Sequence, residues 1–320
     1  MRSSLSALFA MPVMLAFVGC AIPGGNSGYG TAPGDVQGFG AARQTSWVLP
    51  GAAKQDLLYV ADYAVNTVYV LNFPQGALVG ELSGFDGPWA VCTDPGGNVW
   101  ISNFVKQTLV KYEHGGSEPV KTLKDSRAYP VACSVDATTD RLAVANRYTN
   151  STHPGNVVIF NLAKDTATTY TSSNLYYYDA VGYDSSGNLF ADGAAENGSF
   201  GFAELPAGAT KFKPVSLDVQ PTIPVGIQWL GTSLALGAAG VNRKHDSTVL
   251  QVEVSNGHGT VSHTTSLAGY NVSAFFVEGS ILVASEDPYV EFFNYPAGGK
   301  ATVTLTGFES PIGVAVSVAP

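Results

Sequence analysis

A strand-and-turn module that returns along the chain constrains its fold more than any other feature. Asn72-Phe73-Pro74-Gln75-Gly76, Glu204-Leu205-Pro206-Ala207-Gly208 and Asn294-Tyr295-Pro296-Ala297-Gly298 read almost alike, and each follows an alternating strand. Aligned on the middle of their second strands, the modules place Tyr59, Trp100, Ala143, Phe190, Ala235 and Leu282 in register, at spacings of 41, 43, 47, 45 and 47 residues. Repeats of this length, each holding a few short strands, mean a β-propeller. The expectation is an all-β, six-bladed propeller over residues 47–320 with four antiparallel strands per blade.

Each module opens on an innermost strand of small and β-branched residues, such as Pro130-Val131-Ala132-Cys133 or Pro224-Val225-Gly226-Ile227. Strands crowd around the axis, so small side chains are needed there. A tight turn follows, as in Asp94-Pro95-Gly96-Gly97-Asn98 and Asp184-Ser185-Ser186-Gly187-Asn188. Asp accepts hydrogen bonds from the turn backbone, and Gly supplies a positive φ. The first module has no innermost strand before Leu57, while Ser310-Pro311-Ile312-Gly313-Val314-Ala315-Val316 matches that phrase at the far end. The C-terminal strand should therefore close the ring against blade 1 and remove an exposed edge. Deleting residues 308–320 should unfold it.

The phrase Gly87-Pro88-Trp89-Ala90-Val91 followed by Asp94-Pro95-Gly96-Gly97-Asn98-Val99-Trp100-Ile101 resembles the NHL repeat. Its relatives include the regucalcin/gluconolactonase-like and streptogramin-lyase-like propellers. The likeness spans residues 48–320, and the third strands lack the basic residue that NHL repeats often carry. It implies the propeller architecture. One such architecture carries many activities, so function must be argued from a site.

Residues 1–19 read as a lipoprotein signal peptide: Arg2, an apolar run from Leu5 to Gly19, then Cys20. Phe17-Val18-Gly19-Cys20 resembles a bacterial lipobox, with Phe17 where Leu is usual, which makes Cys20 the expected lipidation site. Residues 20–46 read as a flexible tether, too poor in apolar residues to pack. These features imply export to the cell envelope with a lipid anchor in the outer membrane or at the cell surface. Net charge is −9 with no basic stripe, which argues against nucleic acid as a partner. A monomer is expected.

Cys92 and Cys133 fall on matching innermost strands of neighbouring modules but one position out of phase. Side chains alternate along a strand, so the pair is expected to point apart as buried free thiols. An exported protein permits a disulfide without demanding one.

Ligands of such a ring meet loops on the face where innermost strands begin. Trp89, Tyr129, Tyr178, Asp179 and Tyr270 cluster near those entrances, and Tyr pairs a flat apolar face with a polar tip suited to sugars or peptides. They form the expected ligand-binding rim. Asp86, Asn103, Asn146 and Glu309 form a candidate oxygen set for Ca²⁺ or another divalent cation. There is no Gly-x-Ser-x-Gly elbow, phosphate-binding loop or His-Glu-x-x-His motif, and no catalytic residue is assigned. The sequence thus reads as a lipid-anchored, non-enzymatic binding module for a protein or glycan that needs no cofactor. The alternative is a metal-dependent lactonase-like hydrolase or a lyase.

Overall fold

The computed structural model describes residues 45–125, 128–149, 154–239, 246–270 and 272–320. Signal peptide, Cys20 and nearly all of the tether lie outside the described residues. The six sheets are the six blades of a β-propeller. In blade 2 the strands Pro88–Thr93, Val99–Asn103, Thr108–Tyr112 and Pro119–Lys124 follow one another from the axis outwards, all antiparallel. Blades 3, 4 and 6 repeat this meander, and blade 5 gains a short outer parallel strand, Ser216–Leu217.

Blade 1 draws on both ends of the described chain. Its innermost strand is Pro311–Ser317, paired with Leu57–Asp62, and its outermost is Trp47–Val48, paired with Leu78–Leu82. A side-chain latch joins this seam to blade 2. Ser317 Oγ donates to Gly97 O and shares a hydrogen bond with His114 Nδ1, and His114 Nε2 donates to Gln55 O.

Crowding at the axis explains the small residues there. A Cβ on Gly313 would sit 2.0 Å from Trp89 O on the neighbouring innermost strand. The lower turns behave as their sequence demands: Asp94 Oδ1 accepts from the N–H groups of Gly96 and Asn98, and Gly97 takes φ +78°.

The apolar core lies between blades rather than within them. Tyr59 of blade 1 packs with Val99 and Ile101 of blade 2, while Leu58 and Val60, on the other face of the same strand, pack with Val283 and Phe292 of blade 6. Stacked equivalent sheets meet front to back. Residues that face each other across an interblade layer therefore come from opposite faces of the module, one position out of phase.

That geometry corrects the expectation for the cysteines. Cys92 and Cys133 form a disulfide, with Cα atoms 5.8 Å apart. Cys92 pairs with Trp100 in blade 2, and Cys133 pairs with Val144 in blade 3, so each points into the layer the two blades share. The one-residue offset that separates side chains within a sheet is what brings them together between sheets.

Candidate functional site

Loops from second to third strands and loops into innermost strands share one end of the ring, here called the upper face. A polar residue ends the second strands of blades 1 and 2 and stands two residues before the end in blade 3, and its first task is to hold the corner. Asp62 accepts from the N–H groups of Glu309 and Ser310 at 2.8 and 3.0 Å. Asn103 Oδ1 accepts from Asp86 N–H at 2.8 Å. Asn146 Nδ2 donates to Asn156 Oδ1 at 2.9 Å and also bonds the carboxyl of Asp125.

The four oxygen-bearing residues considered for a metal are thus placed at three corners. Asp86 and Asn103 meet through a backbone N–H, Asn146 turns to Asn156 and Asp125, and Glu309 is exposed with its backbone held by Asp62. Among the described residues, no group of three or more His, Cys, Asp or Glu side chains is arranged to hold a metal ion.

The aromatics form a connected arc. Tyr63 meets Trp89 edge to face at 5.6 Å between centroids, and Trp89 stacks on Phe104 at 4.9 Å. Phe104 contacts Tyr129 at 5.0 Å, and Tyr129 contacts Tyr148 at 4.7 Å. Such contacts are worth about 0.5–1.5 kcal/mol each beyond area burial, so the rings hold one another in place. Tyr63 stays 36% exposed, and the other four are half-buried. The arc spans blades 1–3 and continues to blade 4 through Arg147, whose guanidinium lies 5.9 Å from the ring centre of Tyr177.

Of the residues expected at the rim, Trp89 and Tyr129 are in this arc, and Asp179 lines the channel mouth beside it. Tyr178 does not reach the rim. It is fully buried between blades 3 and 4, with its hydroxyl accepting from Ser172 N–H. A bulge between Tyr178 and Ala180 turns Asp179 towards the axis and leaves Tyr177 as the exposed tyrosine. Tyr270 ends the strand His258–Tyr270, and its side chain lies outside the described residues.

Tyr63, Phe104, Tyr148 and Arg147 escaped the sequence reading. A signal was present: Asp62-Tyr63 and Asn103-Phe104 are matching polar–aromatic doublets, and Arg147 follows Asn146 at the same place in blade 3.

The axis opens on the upper face into a cavity of about 160 Å³. Bulged positions of five innermost strands ring its mouth, Trp89, Val131, Asp179, Val225 and Ile312, and Ala274 completes the ring from the unbulged strand of blade 6. Asp179 alone among them is ionisable. It pairs with Arg147, whose side chain is 46% exposed against 13% for the aspartate. Burial pushes the Asp179 carboxyl above the usual range, and Arg147 offsets only part of that. Behind it lies Asp192, completely buried. Burial and the nearby Asp179 charge push its carboxyl well above the ordinary value. Ala180 N–H relieves part of this cost, yet neither Asp192 oxygen gains a hydrogen bond of full geometry.

No protein-family model matches the sequence, and no curated protein matches it. Solved structures are similar in fold. One from a nidogen/laminin complex has a TM-score of 0.65 at 12% identity, covering 82% of this chain and 99% of that one. A functionally unknown protein from Desulfotomaculum acetoxidans DSM 771 has a TM-score of 0.58 at 10% identity, with the same coverages. U3-55K has a TM-score of 0.52 at 10% identity, covering 71% and 69%. At these identities the likeness speaks for the propeller fold alone.

Proposed function

We propose that this propeller is a lipid-anchored binding module of the cell envelope that captures a protein or glycan on its upper face and performs no chemistry of its own. One observation carries the reading: the exposed apolar surface is concentrated on that face. Among the described residues, Tyr63, Val105, Tyr177, Ile223 and Tyr289 are exposed there, whereas Leu49, Val120 and Val318 are the large apolar side chains exposed elsewhere. Grouped apolar exposure rimmed by polar residues marks interaction sites. Aromatic rings fixed by one another present contact area with little loss of side-chain freedom on binding. A Cys92–Cys133 disulfide suits an oxidising compartment, and so supports export. A ring of similar fold in a nidogen/laminin complex is compatible with a role in protein assembly.

The test is capture from solubilised envelope extract by the full chain. A Tyr63→Ala, Trp89→Ala double variant should lose its partner while its melting temperature stays within a few degrees of wild type. Equal capture by the variant rejects the upper face. Metabolic labelling with a radioactive fatty acid should mark the wild type and not Cys20→Ser, and label on both would reject that anchor. This reading requires no metal. A rise in melting temperature with Ca²⁺, Zn²⁺ or Mn²⁺ that is lost in Asp86→Ala would favour the hydrolase or lyase alternative instead.

A further inference from the structure

We propose that the channel mouth beside Asp179 is a binding site for a primary ammonium group on an unbranched alkyl chain. The inference rests on the upper face being the binding face and specifies what enters its centre.

The charge balance of the mouth is the first argument. Two carboxyl groups, Asp179 and Asp192, lie together at the top of blade 4, and one cation, Arg147 of the neighbouring blade, pairs with Asp179. Asp192 is fully buried with both oxygens short of hydrogen bonds. A buried carboxyl without partners is costly, and the cost falls when a cation arrives. Arg147 satisfies Asp179 through Nη1 from the solvent side, its side chain nearly half exposed and its guanidinium near the outer face of Tyr177. It covers the mouth without filling it.

The shape and lining of the cavity are the second argument. The apolar side chains of Val131, Val225, Ala274 and Ile312 stand around the mouth with Asp179, among polar groups that include Arg147 and Ser273, and Trp89 closes the rim. A slender alkyl chain suits those apolar side chains, and an ammonium at its end meets a carboxylate and the ring of Trp89, the best cation–π partner among side chains. About 160 Å³ is room for a chain of a few methylenes. The ammonium displaces Arg147 from Asp179, and Arg147 remains over Tyr177 at the rim.

This chemistry has two sources, a lysine side chain of a partner polypeptide or a free alkyl diamine. The experiment titrates the full chain at pH 7 by calorimetry with n-butylammonium, 1,5-diaminopentane, an acetylated and amidated lysine peptide, and neutral 1-butanol. An ammonium ligand should bind at least tenfold more tightly than 1-butanol. Asp179→Asn should weaken it at least tenfold. Arg147→Gln, which removes the competing cation, should tighten it at least fivefold, an effect opposite in sign to simple damage at the site. Circular dichroism checks that each variant is folded.

Binding by the diamine alone supports the site with a small-molecule source, and binding by the peptide alone supports it with a polypeptide source. No binding of any amine to wild type or Arg147→Gln overturns the proposal, as does unchanged affinity in folded Asp179→Asn. If amines fail while Tyr63→Ala, Trp89→Ala still abolishes capture, the ammonium site falls and the binding face stands. If amines bind while that double variant captures normally, the face reading falls instead.

Discussion

At the lower turns Asp94 and Asp136 are surrounded by donors, whereas near the upper corners Asp125 and Asp192 are buried with too few. Asp94 receives the N–H groups of Gly96 and Asn98, the Asn98 amide and the Lys111 ammonium at 2.9 Å. Burial raises its carboxyl pKa, but these bonds outweigh burial and hold it below the ordinary range. Asp136 is held down in the same way by Thr138 and Thr139. Burial pushes Asp125 up to about 6 despite its bond from Asn146, and Asp179 and Asp192 are raised as well. The same turn-rich scaffold optimises one face and leaves an electrostatic cost on the other. Such costs collect where proteins meet ligands.

The largest effect expected from breaking this contrast is on binding. Phe104 links the two halves of the arc, so Phe104→Ser should reduce capture at least tenfold. The lower-face variant Asp94→Ala should leave capture unchanged when both are assayed below their melting temperatures. Equal losses in the two variants would mean that the faces do not differ in function.

Next in size is the bridge between blades 2 and 3, which belongs to neither face. Replacing Cys92 by Ser should lower unfolding free energy by about 2–4 kcal/mol, given the 41-residue separation it closes. Urea midpoints measure the loss, and the pH profile should keep its wild-type shape.

Asp94→Ala should cost about 2 kcal/mol at pH 7, since it removes charge-assisted bonds from a mostly buried carboxylate. Its folded pKa is depressed. The stability it contributes is therefore present above the unfolded value near 4 and is lost as pH falls through the folded value. The Asp94→Ala penalty should shrink towards pH 3.

The smallest effect has the opposite sign. Asp192 is raised, so its contribution is fully present below the unfolded value near 4 and is lost as pH rises through the folded value. Asp192→Asn should therefore gain about 1 kcal/mol at pH 8 and nothing at pH 4, read from urea midpoints at both. A loss at pH 8 would show that the upper carboxyls are satisfied after all. Asp125 adds to the same trend, with stability falling between about pH 4 and about pH 6.

The fold was legible because backbone geometry is local. The six alignment residues, Tyr59 to Leu282, all occupy the same place opposite their innermost strands. The Asp turns and the closing strand also follow from short stretches of sequence. What was not legible depends on neighbours in space. The cysteine pairing needed the front-to-back stacking of blades. The choice of Tyr177 over Tyr178 hung on a bulge that shifts strand alternation. Asp192 carries no mark in sequence, since Ser102 fills the matching place in blade 2 and accepts Ala90 N–H at 2.7 Å with no charge to bury.

The seam of blade 1 also sets a clock. Its innermost strand ends at Ser317, so five blades can be laid down while the first still presents an open inner edge. Cooperative closure has to wait until the strand Pro311–Ser317 has been made. Until then blade 1 keeps an unpaired inner edge, the kind of edge on which a strand of another chain can pair.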